Sequence, residues 1–139
     1  MDIEKFVSRS VLTVSPDDTL HAAAQSMMER GVGSAVVITD GKPTGVLTDR
    51  EALRAMAQDR DPHSYTVGKF LLGKLPTVVP SLELMEAARI MREKGFRHLV
   101  VVNEEGDLIG VFSMRDLIVG LLEDRHSLLA AATGASDPV

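Results

Sequence analysis

The chain has 139 residues, of which 45% are hydrophobic and 25% charged, enough for one shared core and close to the average for proteins that fold in water. Fifteen Lys and Arg against twenty Asp and Glu leave a net charge of -5; with no run of basic residues to neutralise phosphates, a nucleic-acid partner is not expected. Cysteine is absent, which removes disulfides, thiolate chemistry and Cys-ligated metal sites. The opening Met1-Asp2-Ile3-Glu4-Lys5 carries neither a basic nor an apolar signal region, and no later apolar run approaches membrane-spanning length. A cytoplasmic address without a membrane partner is the expectation.

In chain order the first copy of a repeated pattern reads as a short strand, a helix, two strands and a second helix. Leu20, Ala23, Ala24 and Met27 fall at i, i+3, i+4 and i+7, the stripe of an amphipathic helix, and Gly31 supplies the left-handed residue that commonly ends one. Val36-Val37-Ile38 is a β-branched run with the composition of a buried strand. Asp40-Gly41-Lys42-Pro43 reads as a turn, Thr44 to Leu47 as the return strand, and the stretch from about Asp49 to Ala57 as a helix. Gln58 to Tyr65, charged and containing Pro62, reads as a polar linker.

The pattern then starts again. Lys5-Phe6, Thr13-Val14, Pro16, Leu20, Ala23-Ala24, Met27, Gly31 and Val36-Val37 return as Lys69-Phe70, Thr77-Val78, Pro80, Leu84, Ala87-Ala88, Met91, Gly95 and Val100-Val101, all at one offset. One residue is inserted near Glu105, after which Gly41, Gly45, Val46 and Arg50 return as Gly106, Gly110, Val111 and Arg115. The second copy predicts a strand at Val100 to Val102, a turn at Glu104 to Asp107, a return strand from Leu108 to Phe112 and a helix from about Arg115 to Leu122. Such a duplication specifies a repeat fold in which neither copy buries enough apolar surface alone. The expected class is α/β (α+β): two tandem β-α-β-β-α repeats, residues 1–57 and 66–123, joined by a linker at 58–65 and packed with pseudo-two-fold symmetry into one module. Residues 124–139 read as a partly disordered tail.

Chemistry concentrates at two matching corners, Gly45-Val46-Leu47-Thr48-Asp49-Arg50-Glu51 and Gly110-Val111-Phe112-Ser113-Met114-Arg115-Asp116. Each sets a hydroxyl and, three residues on, a carboxylate where a strand enters a helix. Thr48 with Glu51, and Ser113 with Asp116, satisfy the capping-box pattern and need do no more than cap. A helix start also attracts phosphate, and a carboxylate there can accept the two hydroxyls of a ribose, so capping and nucleotide binding can share these residues. Arg50 and Arg115 add charge nearby or are solvated. Arg97-His98 has only Gly33-Ser34 at the matching positions; it reads either as a phosphate contact or as a solvated basic pair.

Both halves resemble the cystathionine-beta-synthase (CBS) domain, and the chain resembles a tandem CBS pair, or Bateman module, from Ile3 to about Glu123. The likeness rests on Thr13-Val14-Ser15-Pro16, Met27-x-x-x-Gly31, Gly33-Ser34-Ala35-Val36-Val37 and the Gly45 to Glu51 corner. In the second copy it rests on Thr77-Val78-Val79-Pro80, Met91-x-x-x-Gly95, Arg97-His98-Leu99-Val100-Val101 and the Gly110 to Asp116 corner. The resemblance implies an adenosine-containing ligand (AMP, ADP, ATP or S-adenosylmethionine) in the cleft between the repeats. The last carboxylate of the motif would hold the ribose, and the Thr or Ser hydroxyl would lie near phosphate. It further implies an adenine slot at Leu99, Val100 and the segment before Thr77, with equivalents at Ala35, Val36 and Thr13.

The expected nucleotide site is therefore Thr77, Arg97, His98, Leu99, Val100, Ser113, Arg115 and Asp116. A second set comprises Thr13, Ser34, Ala35, Val36, Thr48, Arg50 and Glu51. Glu51 stands where the family usually has Asp, and both copies lack the proline usual before the last strand valines. The methionines fall mostly on apolar stripes, Gly31-x-Gly33 ends a helix rather than starting one, and His21, His63, His98 and His126 share no metal-ligand spacing. No nucleophile with a partnered base is found. The expectation is a non-catalytic regulatory module, without a required cofactor or metal, that forms a homodimer and signals to a partner protein; the alternative is a ligand-free interaction scaffold of the same fold.

Overall fold

Two three-stranded sheets, ordered β1-β2-β3 and β4-β5-β6, organise a mixed α/β fold. The computed structural model describes residues 1–71 and 75–133, with side chains through Arg125. It divides into two units: Ser10–Leu75 with Glu104–Leu108, and Met1–Arg9 with Pro76–Asn103 and the chain from Ile109 onward.

In the unit holding the first sheet, β1 (Thr13–Val14) runs parallel to β2 (Ser34–Thr39), with Thr13 opposite Val36. β2 returns antiparallel as β3 (Lys42–Thr48), with an irregularity between Val37 and Ile38. The expected four-residue turn is tighter: Asp40 and Gly41 alone form it, both at positive φ (51° and 79°), and Lys42 and Pro43 already belong to β3. Two left-handed residues match the twist of the strands they join. Helix α1 (Leu20–Arg30) begins where the Thr19 hydroxyl accepts from the Ala22 amide at 3.1 Å and ends at Gly31, φ 63°. Its Leu20, Ala23 and Met27 pack with Val14, Ala35, Val37, Leu47 and Ala55 of α2 (Asp49–Ala57), and with Val67 and Phe70 of the one-turn α3 (Val67–Phe70).

The other unit repeats this layout. β4 (Thr77–Val78) lies parallel to β5 (His98–Val102), Thr77 opposite Val100, and β6 (Leu108–Ser113) follows. Helix α4 (Leu84–Lys94) ends at Gly95, φ 71°. Leu84, Ala87 and Met91 pack with Leu99, Val101, Phe112 and Leu117, and with Ile3, Phe6 and Val7 from the start of the chain.

The lead-in segments are therefore exchanged. Lys5-Phe6 and Lys69-Phe70 are sequence equivalents, yet the 3-10 turn Glu4–Phe6 completes the core built from the second copy, and α3 completes the core built from the first. Backbone pairing fixes the first exchange: the Ile3 amide donates to the Leu82 carbonyl (3.0 Å), the Leu84 amide to Met1 (2.9 Å), and Ser8 and Val111 exchange bonds of 2.9 Å. Helix α5 (Met114–Thr133) outruns the expected end near Leu122. The Leu and Ala residues after His126 are strong helix formers and carry the turn pattern on. Of the expected tail, residues 134–139 lie outside the described residues.

Candidate functional site

Each of the two expected residue sets lies within one unit. In the α5 unit, the Val100 amide donates to the Pro76 carbonyl at 2.8 Å, joining the segment before Thr77 to the middle of β5. Leu99 and Val100 are fully buried. Strand alternation sends Leu99 into the core cluster and Val100 to the opposite face of the sheet. The Met114 amide donates to the Arg97 carbonyl at 2.9 Å, so the first residue of α5 and the residue before β5 are neighbours. Arg97, Arg115 and Thr77 are exposed, and His98 is half-buried with partners of its own.

The α2 unit has the same construction. The Val36 amide donates to the Leu12 carbonyl at 2.9 Å, and the Asp49 amide to the Gly33 carbonyl at 3.2 Å. Ser34 sits directly opposite Thr48 in the β2–β3 register. Ala35 and Val36 are buried, whereas Thr13 and Arg50 are exposed. The structure thus assembles each set within its own unit.

The two hydroxyl–carboxylate pairs form caps, as the spacing predicts. Asp116 Oδ2 accepts from the Ser113 amide (2.8 Å) and the Ser113 hydroxyl (2.9 Å), while the Asp116 amide donates to Ser113 Oγ (3.2 Å). Glu51 Oε2 accepts from the Thr48 amide at 3.1 Å and from the Thr48 hydroxyl. Each carboxylate spends a single oxygen on its cap. Asp116 Oδ1 and Glu51 Oε1 have no partner among the described residues, and neither is sealed from solvent. Such an oxygen accepts a hydroxyl donor without breaking the cap, so the extra methylene of Glu51 leaves the same arrangement in place.

Three further residues, Asp49, Leu12 and Pro76, belong to these corners. Asp49 follows Thr48, and its Oδ2 comes within 3.7 Å of where a Cβ on Gly33 would stand. The signal was present in the sequence: the repeat aligns Asp49 with Met114 and Gly33 with Arg97, so a carboxylate replaces a thioether where a cation is missing. The carbonyls of Leu12 and Pro76 carry no side-chain signal, because any residue can supply a carbonyl. Among the described residues no group of His, Asp and Glu could hold a metal ion, and no helix is long and apolar enough to cross a membrane.

The comparisons with known proteins agree with the duplication. An uncharacterized protein of Methanopyrus kandleri is 30% identical over 120 residues, covering 85% of this chain and 61% of that protein; the chain thus spans less than two thirds of that relative. The CBS domain-containing protein YhcV of Bacillus subtilis is 32% identical over 126 residues, covering 90% of this chain and 89% of its own. Among solved structures, the CBS domain protein PAE2072 of Pyrobaculum aerophilum, complexed with AMP, superposes with a TM-score of 0.77 at 27% identity, covering 88% of this chain and 98% of that one. The model of the CBS domain matches residues 2–58 and again residues 67–123. With the β-α-β-β-α unit present twice and the family's pattern covering both copies, this chain belongs to the CBS domain family as a tandem pair.

Proposed function

We propose that the chain is a non-catalytic regulatory module that binds an adenosine-containing ligand (AMP, ADP, ATP or S-adenosylmethionine) at the Ser113–Asp116 corner, and a second at the Thr48–Glu51 corner. The carrying observation is the spare carboxylate oxygen, Asp116 Oδ1, accessible beside the cap that fixes its geometry. A ribose diol is a pair of hydroxyl donors that such an oxygen accepts. Pro76 and Thr77 supply surface for the base beside the backbone of the buried Leu99 and Val100, Arg97 and Arg115 supply positive charge for phosphate, and His98 stands beside them. Thr13, Ser34, Ala35, Val36, Thr48, Arg50 and Glu51 are their counterparts. The AMP complex of the Pyrobaculum relative supports the ligand class.

In this reading the module acts in the cytoplasm, with no cofactor, and passes ligand occupancy to a partner protein through a homodimer. Leu53 and Met56 on α2, and Ile118 and Leu122 on α5, are apolar and exposed, and surfaces of this kind are usually covered by association.

Thermal unfolding of the full chain with AMP, ATP and S-adenosylmethionine tests the proposal, with light scattering for the dimer. Ligand at a hundred times its Kd stabilises the fold by about 2.7 kcal/mol, a rise of several degrees for a chain of this size. Asp116→Ala lowers the unliganded midpoint by loss of the cap and also abolishes the ligand-dependent rise. A flat response to all three compounds, with the dimer intact, leaves the interaction scaffold as the function.

A further inference from the structure

The two corners share a fold and differ in charge. At the α5 corner, Arg97 and Arg115 stand with the single carboxylate of Asp116. At the α2 corner, Asp49 and Glu51 stand with the single guanidinium of Arg50. Two aligned exchanges produce the reversal: Gly33 for Arg97, and Asp49 for Met114. Equivalent backbone bonds hold each pair together, Asp49 to Gly33 at 3.2 Å and Met114 to Arg97 at 2.9 Å. The Asp49 carboxylate lies over the Gly33 position, 3.7 Å from a Cβ built there.

The fold does not require either choice. Gly33 is absent from the glycines at positive φ, and a side chain there would meet only ordinary van der Waals contact. Arg97, Asp49 and Met114 are exposed, so no packing demand selects a cation on one side and an anion on the other.

We infer that these two positions set ligand class, so that the corners are not duplicate sites. The α5 corner takes a phosphate-bearing adenosine ligand. The α2 corner, where the Asp49 carboxylate lies over the position that aligns with Arg97, takes a phosphate-free one: a neutral nucleoside or a cationic sulfonium nucleoside. An Arg to phosphate contact is a charge-assisted bond, whereas Asp49 and Glu51 repel a second anion. The inference rests on the adenosine reading above and adds the division of labour.

Isothermal titration of the full chain with AMP and with adenosine separates the possibilities. AMP fills one site per chain and binds there about tenfold or more tighter than adenosine, the increment of one charge-assisted contact. Arg97→Gln removes that preference, lowering AMP affinity about tenfold or more and adenosine affinity by less. Gly33→Arg with Asp49→Met adds a second AMP site, and because all these positions are exposed, circular dichroism checks each variant's fold before titration. AMP filling two equal sites in the unaltered chain overturns the inference, as does an equal loss of AMP and adenosine affinity in Arg97→Gln, which needs no second variant. Adenosine binding without any preference for AMP refutes the division alone. Absence of binding by both compounds refutes the adenosine reading with it.

Discussion

Gly110 faces the carbonyl of Ser8 so closely that a Cβ on the glycine would stand 2.2 Å from that oxygen. This contact closes the pairing between the start of the chain and β6, where Ser8 and Val111 exchange two backbone bonds. Because the nearest obstructing atom is the Ser8 backbone oxygen, which cannot swing aside as the Val7 side chain can, the glycine is required by approach distance rather than by its own φ.

A graded series follows at the three glycines of the corners. Gly110→Ala overpacks the strand against Ser8 and Val7 and costs about 1–3 kcal/mol. Gly45→Ala meets the Cδ1 of Leu71 at 2.4 Å, the far end of a flexible side chain that can rotate, so its cost is smaller. Gly33→Ala meets nothing closer than 3.7 Å and changes stability by about 0.5 kcal/mol or less. Urea unfolding checks the order, and an equal cost for all three would contradict it.

Ile3 is fully buried among Leu84, Leu99 and Phe112, as its repeat equivalent Val67 is in the other core. Ile3→Ala leaves a cavity in the core formed by the second copy and costs about 2–5 kcal/mol. Denaturant midpoints and hydrogen exchange measure it: the amides of α4, β5 and β6 lose protection most. A loss confined to β1, β2 and β3 would refute the exchange of lead-in segments.

Arg89 on α4 bridges Glu86 and Glu93, the latter at 2.6 Å. Hydrogen bonding to the Arg89 guanidinium, aided by its charge, holds the Glu86 carboxyl below its ordinary value of 4.5. A carboxyl whose folded value is depressed stabilises the fold above its unfolded value, and the contribution fades as pH falls through the lowered folded one. Both groups are exposed, so the effect is small and salt-sensitive. Melting curves of the protein and of Glu86→Gln should differ near neutrality and converge below pH 4.5; a gap that widens on acidification would contradict the assignment.

The amino-acid sequence alone determined the duplicated layout, the helix stripes and their glycine ends, the strand runs and the two capped corners. All of these follow from short-range periodicity and backbone preference, which neighbouring residues carry. It marked Lys5-Phe6 and Lys69-Phe70 as equivalents without revealing that each fills the core built from the other copy, because apolar residues carry no address for the partner they bury against. The spare oxygens of Asp116 and Glu51 were likewise beyond it, since spacing names a cap but not which lone pairs it uses. Tertiary structure decided these matters, and with them the placing of the Asp49 carboxylate over Gly33, because each depends on distances between segments far apart in the chain.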